Sequence, residues 1–296
     1  MTWLHVTSVL YGNDEPAIER LVAAASHTCR RARAAGLVER VTYAIGDSSR
    51  TPAVSDALRD RIVERAARDG VELTYEFYDA NLGSAEGNNH LWRGVDADFF
   101  LMVNPDIYCA PDLATNLLRR LIDDPGVGIA EARQLPFDHP KAHDEETGAT
   151  GWASMACCLI RGEALRQVGE MDSKTFFLYC DDVDFSWRTR LAGWRLAFTP
   201  TAVAFHDKRL APSGAVAASD AEHYYAAEAA LLLTYKYSRE DITEHFLNVF
   251  KKSTAHHRKA RQEFLSRRAA GTLPAQLDPG HTVAEFVDGN YARHRF

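Results

Sequence analysis

The feature that most constrains the fold of this chain is an alternation of strand-like and helix-like segments up to Asp123. Short apolar runs predict strands over residues 5–10, 41–45 and 99–103, and alternating polarity predicts another over residues 72–78. Stretches with apolar side chains three and four positions apart predict amphipathic helices between them. This alternation is typical of an α/β fold, with a mostly parallel central sheet and helices on both faces. In such sheets ligands bind beyond the carboxyl ends of the strands.

Beyond Asp123 the pattern is less regular. Residues 132–151 have no clear period and predict a long loop, which in a compact domain often has a function. Further strands are predicted over residues 154–160, 194–198 and 202–205, and further helices over residues 163–168, 182–191, 220–237 and 241–268. We therefore expect one domain over residues 1–210 and a helical carboxyl-terminal extension over residues 211–296.

The composition is that of an ordinary globular protein, with 46% hydrophobic and 25% charged residues. A net charge of −7 argues against a nucleic-acid partner, because nucleic-acid-binding domains usually carry a basic surplus. The five cysteines lack metal-binding spacing, so we expect buried thiols in a reducing compartment. There is no signal-peptide pattern, and no window approaches the ~20 apolar residues that span a bilayer. These features predict a cytoplasmic protein.

Polar side chains follow several predicted strands. Asp47 ends the second strand, Asn81 follows the third, and Asn104-Pro105-Asp106 ends the fourth. A carboxylate placed like Asp106 can hold Mg²⁺ or Mn²⁺ through oxygen, although it can also cap the next helix. The segment from Asn81 to Asn89 contains Gly83 and Gly87 before a helix, whose amino terminus favours phosphate. Its glycine spacing is neither that of the dinucleotide fingerprint nor that of the P-loop.

A second cluster places three carboxylates, Asp181, Asp182 and Asp184, within four residues at a predicted helix start. One acid is enough to cap a helix, and close carboxylates repel, so the cluster favours a metal or acid–base site. His206 follows an apolar strand. A histidine there is usually structural, but neutral imidazole is also a good ligand for a divalent cation.

Taken in order, these segments resemble the family 2 glycosyltransferases, especially the bacterial rhamnosyltransferase-like branch. The similarity extends from about Thr7 to His206. It is carried by the following residues: Asp47, Asn81-Leu82-Gly83, Gly87-Asn88-Asn89, Asn104-Pro105-Asp106, the segment from Phe177 to Asp184, Arg188, Gly193-Trp194, Pro200 and His206.

The resemblance implies a GT-A fold and inverting transfer of a sugar from a dTDP- or UDP-sugar to a hydroxyl of a glycan or lipid-linked acceptor. It implies that Asp182 is the catalytic base and that Asp106 and His206 hold the cation on the diphosphate. The implied donor-binding residues are Ser8, Tyr11, Asp47, Asn81, Gly83, Gly87 and Asn104. The implied acceptor-binding residues are Trp152, Asp181 and Trp187. Two positions depart from the family pattern, because Asn104 replaces the first acid of the Asp-x-Asp motif and Asp181 replaces a glutamate.

Two other functions compete with transfer. One is a nucleotide-sugar-binding protein without catalysis, against which the retained Asp182 and His206 argue. The other is a metal-dependent phosphohydrolase that uses the same carboxylates.

The carboxyl-terminal extension lies outside the resemblance. Its last predicted helix carries basic residues and apolar ones that could form a basic face over an apolar stripe: Lys251, Lys252, Arg258, Lys259, Arg261, Arg267 and Arg268, with Phe250, Phe264 and Leu265. Such a face suits peripheral docking to the inner, anionic face of a membrane. The alternative is a solvated helix packed on the domain or on a second copy in a homo-oligomer.

Overall fold

The structure is a computed structural model that describes residues 1–207 and 219–295. The expected domain boundary between residues 210 and 211 lies outside the described residues. The strands are β1 (Trp3–Leu10), β2 (Arg40–Asp47), β3 (Glu72–Phe77), β4 (Phe99–Val103), β5 (Ile107–Cys109), β6 (Val127–Leu135), β7 (Cys157–Arg161) and β8 (Arg195–His206). The helices are α1 (Glu15–Ala34), α2 (Asp56–Arg68), α3 (Gly83–Trp92), α4 (Leu113–Asp123), α5 (Gly162–Val168), α6 (Asp181–Leu191), α7 (Asp220–Lys236), α8 (Glu240–Phe250) and α9 (Ala255–Ala270).

The described strands form one eight-stranded sheet in the order β3-β2-β1-β4-β7-β6-β8-β5. β1, β2, β3 and β4 pair in parallel, as do β6 and β8, whereas β7 runs antiparallel to both β4 and β6. All strands except β5 and β7 therefore run in one direction, and the prediction of a mostly parallel α/β sheet is confirmed. The carboxyl ends of β4, β6 and β8 meet at one edge of the sheet, next to the start of β7.

Both faces of the sheet are covered by helices, as expected. On one face, Leu101 and Val103 of β4 pack in a core that includes α1, α2 and α4. On the other face, Phe100 and Met102 pack with side chains of α3, α5 and α6. This alternation of β4 side chains between two cores explains why the strand is continuously apolar in sequence.

Three expectations about individual strands were wrong. β6 continues to Leu135, into the segment predicted as a loop, and the short strand β5 was not predicted. β8 is a single strand rather than two, because the register with β6 shifts between Ala132 and Arg133 at the level of Thr199 and Pro200. A proline lacks the N–H needed for regular pairing, and such an irregularity accommodates it within a strand.

The described part of the carboxyl-terminal extension begins with α7, as predicted, but the single helix predicted over residues 241–268 is divided into α8 and α9. These helices form a third core with residues of α6 and of the segment before it. Phe264 is 1% exposed and packs edge-on against Tyr235 of α7, and Phe250 is also buried. The predicted apolar stripe therefore faces the protein, because α7 covers it, and the alternative of a helix packed on the domain is the observed one. Among the described residues, no helix has the length and apolar character of a membrane span. All five cysteines are buried free thiols, as expected.

Candidate active site

Asp106 and His206 lie side by side at the carboxyl edge of the sheet. Asp106 lies in the turn between β4 and β5, and His206 ends β8, which pairs with β5 so that Ile107 faces His206. The Oδ2 atom of Asp106 is 3.0 Å from the Nε2 atom of His206. The two side chains that the resemblance assigned to a cation are thus brought together across 100 residues of sequence.

Gln134, near the end of β6, orients His206 and was not predicted. Its amide Nε2 donates to Ser154 Oγ at 3.1 Å, so its Oε1 atom faces His206 Nδ1 at 2.7 Å. The imidazole therefore donates from Nδ1, which leaves Nε2 to face the carboxylate of Asp106. A histidine that ligates a metal usually donates its other N–H in this way.

These residues fit a divalent cation in part. A carboxylate oxygen and an imidazole nitrogen are suitable ligands for Mn²⁺, and the carboxylate suits Mg²⁺ as well. Within residues 1–207 and 219–295, no group of three or more His, Cys, Asp or Glu side chains is placed to hold a metal ion. A cation on Asp106 and His206 would consequently need further oxygen ligands from its substrate, and a diphosphate has them.

Asn104 occupies the turn that carries Asp106. Its backbone N–H donates to the carbonyl of Ala156 at 2.8 Å, and its own carbonyl accepts from the N–H of Ile107 at 3.0 Å. The side chain is partly exposed at the sheet edge. The turn is therefore fixed by backbone hydrogen bonds, and the amide of Asn104 remains accessible beside Asp106.

Asp182 is presented by an unusual turn at the start of α6. The two preceding residues, Tyr179 and Cys180, have φ angles of 68° and 58°, a left-handed conformation that costs non-glycine residues about 1–3 kcal/mol each. Such strain persists where the surrounding structure enforces it, and it is common at active sites. The Asp182 carboxylate accepts from the N–H of Val183 at 2.8 Å, which fixes one of its oxygens.

Burial raises the pKa of Asp182 to about 6, although the Val183 N–H and the positive charge of Lys141 act in the opposite direction. Burial also raises the pKa of Asp181, and the neighbouring Asp182 carboxylate raises it further. Two adjacent carboxyl groups in this position titrate as a pair. A carboxylate with a raised pKa is a better general base than an exposed one.

Asp184 does not belong to this pair, which corrects the prediction of three converging acids. Its buried carboxylate lies 2.6 Å from Lys236 Nζ and 2.8 Å from Arg188 Nε, and it accepts from the hydroxyl of Tyr237 at 3.1 Å. A step of two residues along the helix is about half a turn, and it directs Asp184 away from Asp182, towards α7. Asp184 therefore joins α6 to the carboxyl-terminal extension.

A cavity of about 350 Å³ opens beside Asp182. Asp182 is the carboxylate among its described lining residues, and the wall also contains Trp152. The remaining lining residues come from residues 139–141, from the turn before α6, from the first turn of α6 and from the carboxyl-terminal segment: His139, Pro140, Lys141, Tyr179, Cys180, Val183, Asn290, Tyr291, Ala292 and His294. The cavity can hold a small polar molecule with a hydroxyl near Asp182.

Lys141 forms a buried ion pair beside the cavity, and it was also not predicted. Its ammonium lies 2.5 Å from Glu131 Oε2, donates to the carbonyl of Trp152, and lies 3.9 Å from the centre of the Trp152 ring. Lys141 comes from the segment expected to be a functional loop. Its charge acts on Asp182, so the Glu131–Lys141 pair contributes to the electrostatics of the site.

Residues 152–155 connect the two halves of the site. The hydroxyl of Ser154 accepts from Gln134, which holds His206. The N–H of Met155 lowers the pKa of Asp182 by hydrogen bonding to its carboxylate. The segment therefore fixes the position of Asp182 relative to the Asp106–His206 pair.

Two of the residues predicted to bind the sugar donor, Ser8 and Asp47, have side chains that form hydrogen bonds within the protein. The Ser8 hydroxyl is buried between the Tyr43 hydroxyl and the carbonyl of Val103, at 2.8 and 2.6 Å. Asp47 is fully buried and accepts from Ser49 N, Ala53 N and the Tyr75 hydroxyl. Neither side chain is available to a nucleotide. Instead, Ser8 joins neighbouring strands and Asp47 shapes the loop after β2.

Gly83 and Gly87, which were predicted to bind the donor, lie where any larger side chain would clash with neighbouring atoms. A Cβ atom on Gly87 would approach Val9 side-chain atoms to 2.8 Å, so Gly87 allows α3 to pack closely on β1. Gly83 has a φ angle of 71°, and a Cβ atom there would lie 2.8 Å from the carbonyl oxygen of Phe177.

Two other residues predicted to bind the donor have exposed side chains. Asn81 is exposed and accepts a hydrogen bond from the N–H of Gly83 at 3.1 Å, and Tyr11 is exposed beyond β1.

Two predicted acceptor residues lie outside the cavity. Trp187 is fully buried and packs edge-on against Tyr237 and Phe286, so it is a core residue, and its predicted contact with an acceptor is wrong. Asp181 is nearly buried and is not among the described lining residues of the cavity. Trp152 is the predicted acceptor residue that does lie in the cavity wall.

Comparisons with known proteins agree with this architecture. No family model matches the chain. Two curated relatives from strains of Mycobacterium tuberculosis are each named N-acetylglucosaminyl-diphospho-decaprenol L-rhamnosyltransferase. Each is 28% identical to this chain over 244 residues, covering 69% of this chain and 76% of the relative.

Solved structures with a similar fold include a mannosyltransferase. The mannosyltransferase PcManGT from Pyrobaculum calidifontis, in complex with GDP-Man and Mn²⁺, has a TM-score of 0.55 at 16% identity, covering 95% of this chain and 78% of its own. GalNAc-T7 with UDP, GalNAc and Mn²⁺ has a TM-score of 0.62 at 11% identity, covering 92% and 59%. TarS from S. aureus has a TM-score of 0.53 at 14% identity, covering 90% and 43%. The expected resemblance is therefore confirmed: this chain has the GT-A fold of glycosyltransferases and is similar to the rhamnosyltransferase-like branch of family 2.

Proposed function

We propose that this protein transfers a sugar, with inversion, from a dTDP- or UDP-sugar to a hydroxyl of a glycan or lipid-linked acceptor. The observation that carries the proposal is the placement of Asp182 in the cavity wall, on a strained turn and with a pKa raised to about 6. An acceptor hydroxyl is a poor nucleophile, and Asp182 would take its proton during attack on the anomeric carbon. A single displacement from the face opposite the diphosphate inverts that carbon and needs no nucleophile from the enzyme.

Asp106 and His206 would hold Mg²⁺ or Mn²⁺, with Gln134 orienting His206. When bound, the cation supplies positive charge that stabilises the leaving diphosphate. Asn104 would contact the donor from the same turn, and Tyr11 and Asn81 are exposed side chains beyond neighbouring strand ends. With Asn104 in place of an acid, Asp106 is the anionic ligand from this turn, so we expect moderate cation affinity in the absence of donor.

The curated relatives suggest the first substrates to test. Their name describes transfer of L-rhamnose to N-acetylglucosaminyl-diphospho-decaprenol. For this chain we propose dTDP-L-rhamnose as the first donor, and an N-acetylglucosaminyl diphosphate on a short lipid as the first acceptor. Peripheral membrane contact and homo-oligomer formation stay predictions.

The experiment that tests the function is a donor panel, read by release of nucleoside diphosphate with and without the acceptor, with Mn²⁺, with Mg²⁺ and with a chelator. A transferase releases nucleoside diphosphate in step with glycosylated acceptor, and the product has the inverted anomeric configuration. A phosphohydrolase would release inorganic phosphate without acceptor. A binding protein without catalysis would bind donor and release nothing, and either result would overturn the proposal.

A further inference from the structure

The carboxyl-terminal segment returns to the site after the helical extension. Residues 290–295 lie along residues 139–142, and a bridge pairs Lys141 with His294. The N–H of Ala142 donates to the carbonyl of Arg293 at 2.6 Å, and the N–H of Arg295 donates to the carbonyl of Pro140 at 2.8 Å. We call residues 290–295 the strap. Its antiparallel pairing attaches it to the same segment that carries Lys141.

The strap supplies one wall of the Asp182 cavity. Asn290, Tyr291, Ala292 and His294 line it, opposite residues of the turn before α6. The Tyr291 ring lies edge-on to Trp152 at 6.2 Å, and its hydroxyl accepts from the Cys180 thiol at 3.1 Å. Tyr291 therefore touches both a wall residue and the strained turn that presents Asp182.

The start of this segment is also anchored. The carboxylate of Asp278 accepts from the N–H groups of Thr282, Val283 and Ala284 at 2.7, 2.9 and 2.9 Å. Val287 and Asn290 then exchange backbone hydrogen bonds at 2.9 and 2.8 Å, which closes a tight turn immediately before Tyr291. Hydrogen bonds on both sides of the turn thus hold the strap in place over the cavity.

From this placement we propose that the strap is the acceptor-recognition element, with Tyr291, Asn290 and His294 contacting a single terminal sugar ring whose hydroxyl faces Asp182. The inference rests on the proposed transferase function and deepens it. A volume of about 350 Å³ lies at the small end of the range for small-molecule sites, about 300–1,000 Å³, which fits one ring rather than an extended oligosaccharide. Aromatic carbon for the ring face, together with amide and imidazole groups for hydroxyls, is the chemistry that recognises a pyranose.

The test compares Tyr291→Ala with Arg293→Ala, a neighbouring strap residue that is exposed and does not line the cavity. The probe for binding is methyl N-acetyl-β-glucosaminide, followed by saturation-transfer NMR, and the probe for turnover is N-acetylglucosaminyl diphosphate on a short lipid. We expect Tyr291→Ala to raise the acceptor KM about fivefold to tenfold while the donor KM stays within about twofold. Arg293→Ala should leave both values unchanged, and Tyr291→Phe should keep most of the acceptor affinity because it keeps the ring.

The outcomes separate this inference from the proposed function. If the wild-type protein transfers sugar and Tyr291→Ala leaves the acceptor KM unchanged, the strap proposal is wrong and the transferase proposal stands. A purely structural role for Tyr291 predicts a lower melting temperature with donor and acceptor KM shifted alike, which also overturns the inference. If the wild-type protein neither transfers sugar nor contacts the methyl glycoside, both proposals fail.

Discussion

The amide of Gln134 accepts a hydrogen bond from Nδ1 of His206, with 2.7 Å between the two atoms. This contact fixes the ring so that Nε2 faces Asp106, and both side chains then present a ligand atom to the same point. The two residues lie on adjacent parallel strands, β6 and β8, and so meet at the same sheet edge. Orientation of His206 is therefore a property of the sheet rather than of a flexible loop.

Replacing Gln134 should weaken cation binding without removing a ligand. We expect Gln134→Leu to lower the affinity for Mn²⁺ in the presence of nucleoside diphosphate by about 10–100-fold, the usual effect of losing the partner of a ligating histidine. Isothermal titration with Mn²⁺ and dTDP measures it. Gln134→Glu, which keeps an acceptor for the Nδ1–H, should retain more affinity than Gln134→Leu, and equal losses in the two variants would contradict the orienting role.

Asp182→Asn should greatly reduce transfer while sparing donor binding. A general base contributes about 10²–10⁴-fold to the rate, so we expect kcat to decrease by a factor in that range. Asp181→Asn is the matched control, because Asp181 is adjacent but does not line the cavity among the described residues. Its kcat should fall much less. Activity of Asp182→Asn within a few fold of wild type would rule out the base assignment.

The pH dependence follows from the same residue. Asp182 acts as a base when deprotonated, and its pKa is raised to about 6, so kcat/KM should fall as pH decreases through about 6. Lys141 lowers that pKa, so removing its charge should move this acidic limb to higher pH. The variant is Lys141→Met/Glu131→Gln, which removes both charges of the buried pair and leaves no unpaired ion.

Profiles of kcat/KM from about pH 5 to about pH 8 compare this double variant with the wild type. Glu131→Gln alone is the control, because it keeps the Lys141 charge and leaves the ammonium without its partner. Its acidic limb should lie below that of the double variant. An acidic limb near pH 4 in the wild type, the ordinary range of an exposed carboxyl, would show that burial does not shift the base.

The sequence predicts a site residue when its role follows from neighbouring residues in the chain. It does not predict a residue whose role depends on contacts with distant parts of the chain. Asp106 and Asp182 are marked by local patterns, a strand end and an acidic helix start, and the alternation of strands and helices predicted the sheet. Gln134 and Tyr291 act only through contacts with residues far away in sequence. No local pattern identifies either one.

The errors have a similar origin. Trp187 flanks the acidic cluster, and an aromatic residue on a helix has the same local pattern whether it faces a ligand or a core. Asp184 lies two positions after Asp182, yet the helix directs it towards Lys236, a residue of the extension that the resemblance did not cover. Both side chains pack against α7 or the residues after it, so only the tertiary structure distinguishes Trp187 and Asp184 from residues of the site.

Asp184 should therefore matter for stability rather than for catalysis. Its carboxylate is fully buried and paired with Lys236, whose side chain is 6% exposed, and with Arg188. Removing one partner of a buried ion pair leaves an uncompensated charge and costs about 3–5 kcal/mol. We expect Asp184→Ala to lower the free energy of unfolding by that amount, measured by urea denaturation.

The control is Asp241→Ala, which removes an exposed carboxylate paired with Arg239 and should lower the free energy of unfolding by at most about 1 kcal/mol. The folded fraction of Asp184→Ala should keep a wild-type donor KM, whereas a raised donor KM with unchanged stability would assign Asp184 to the site after all.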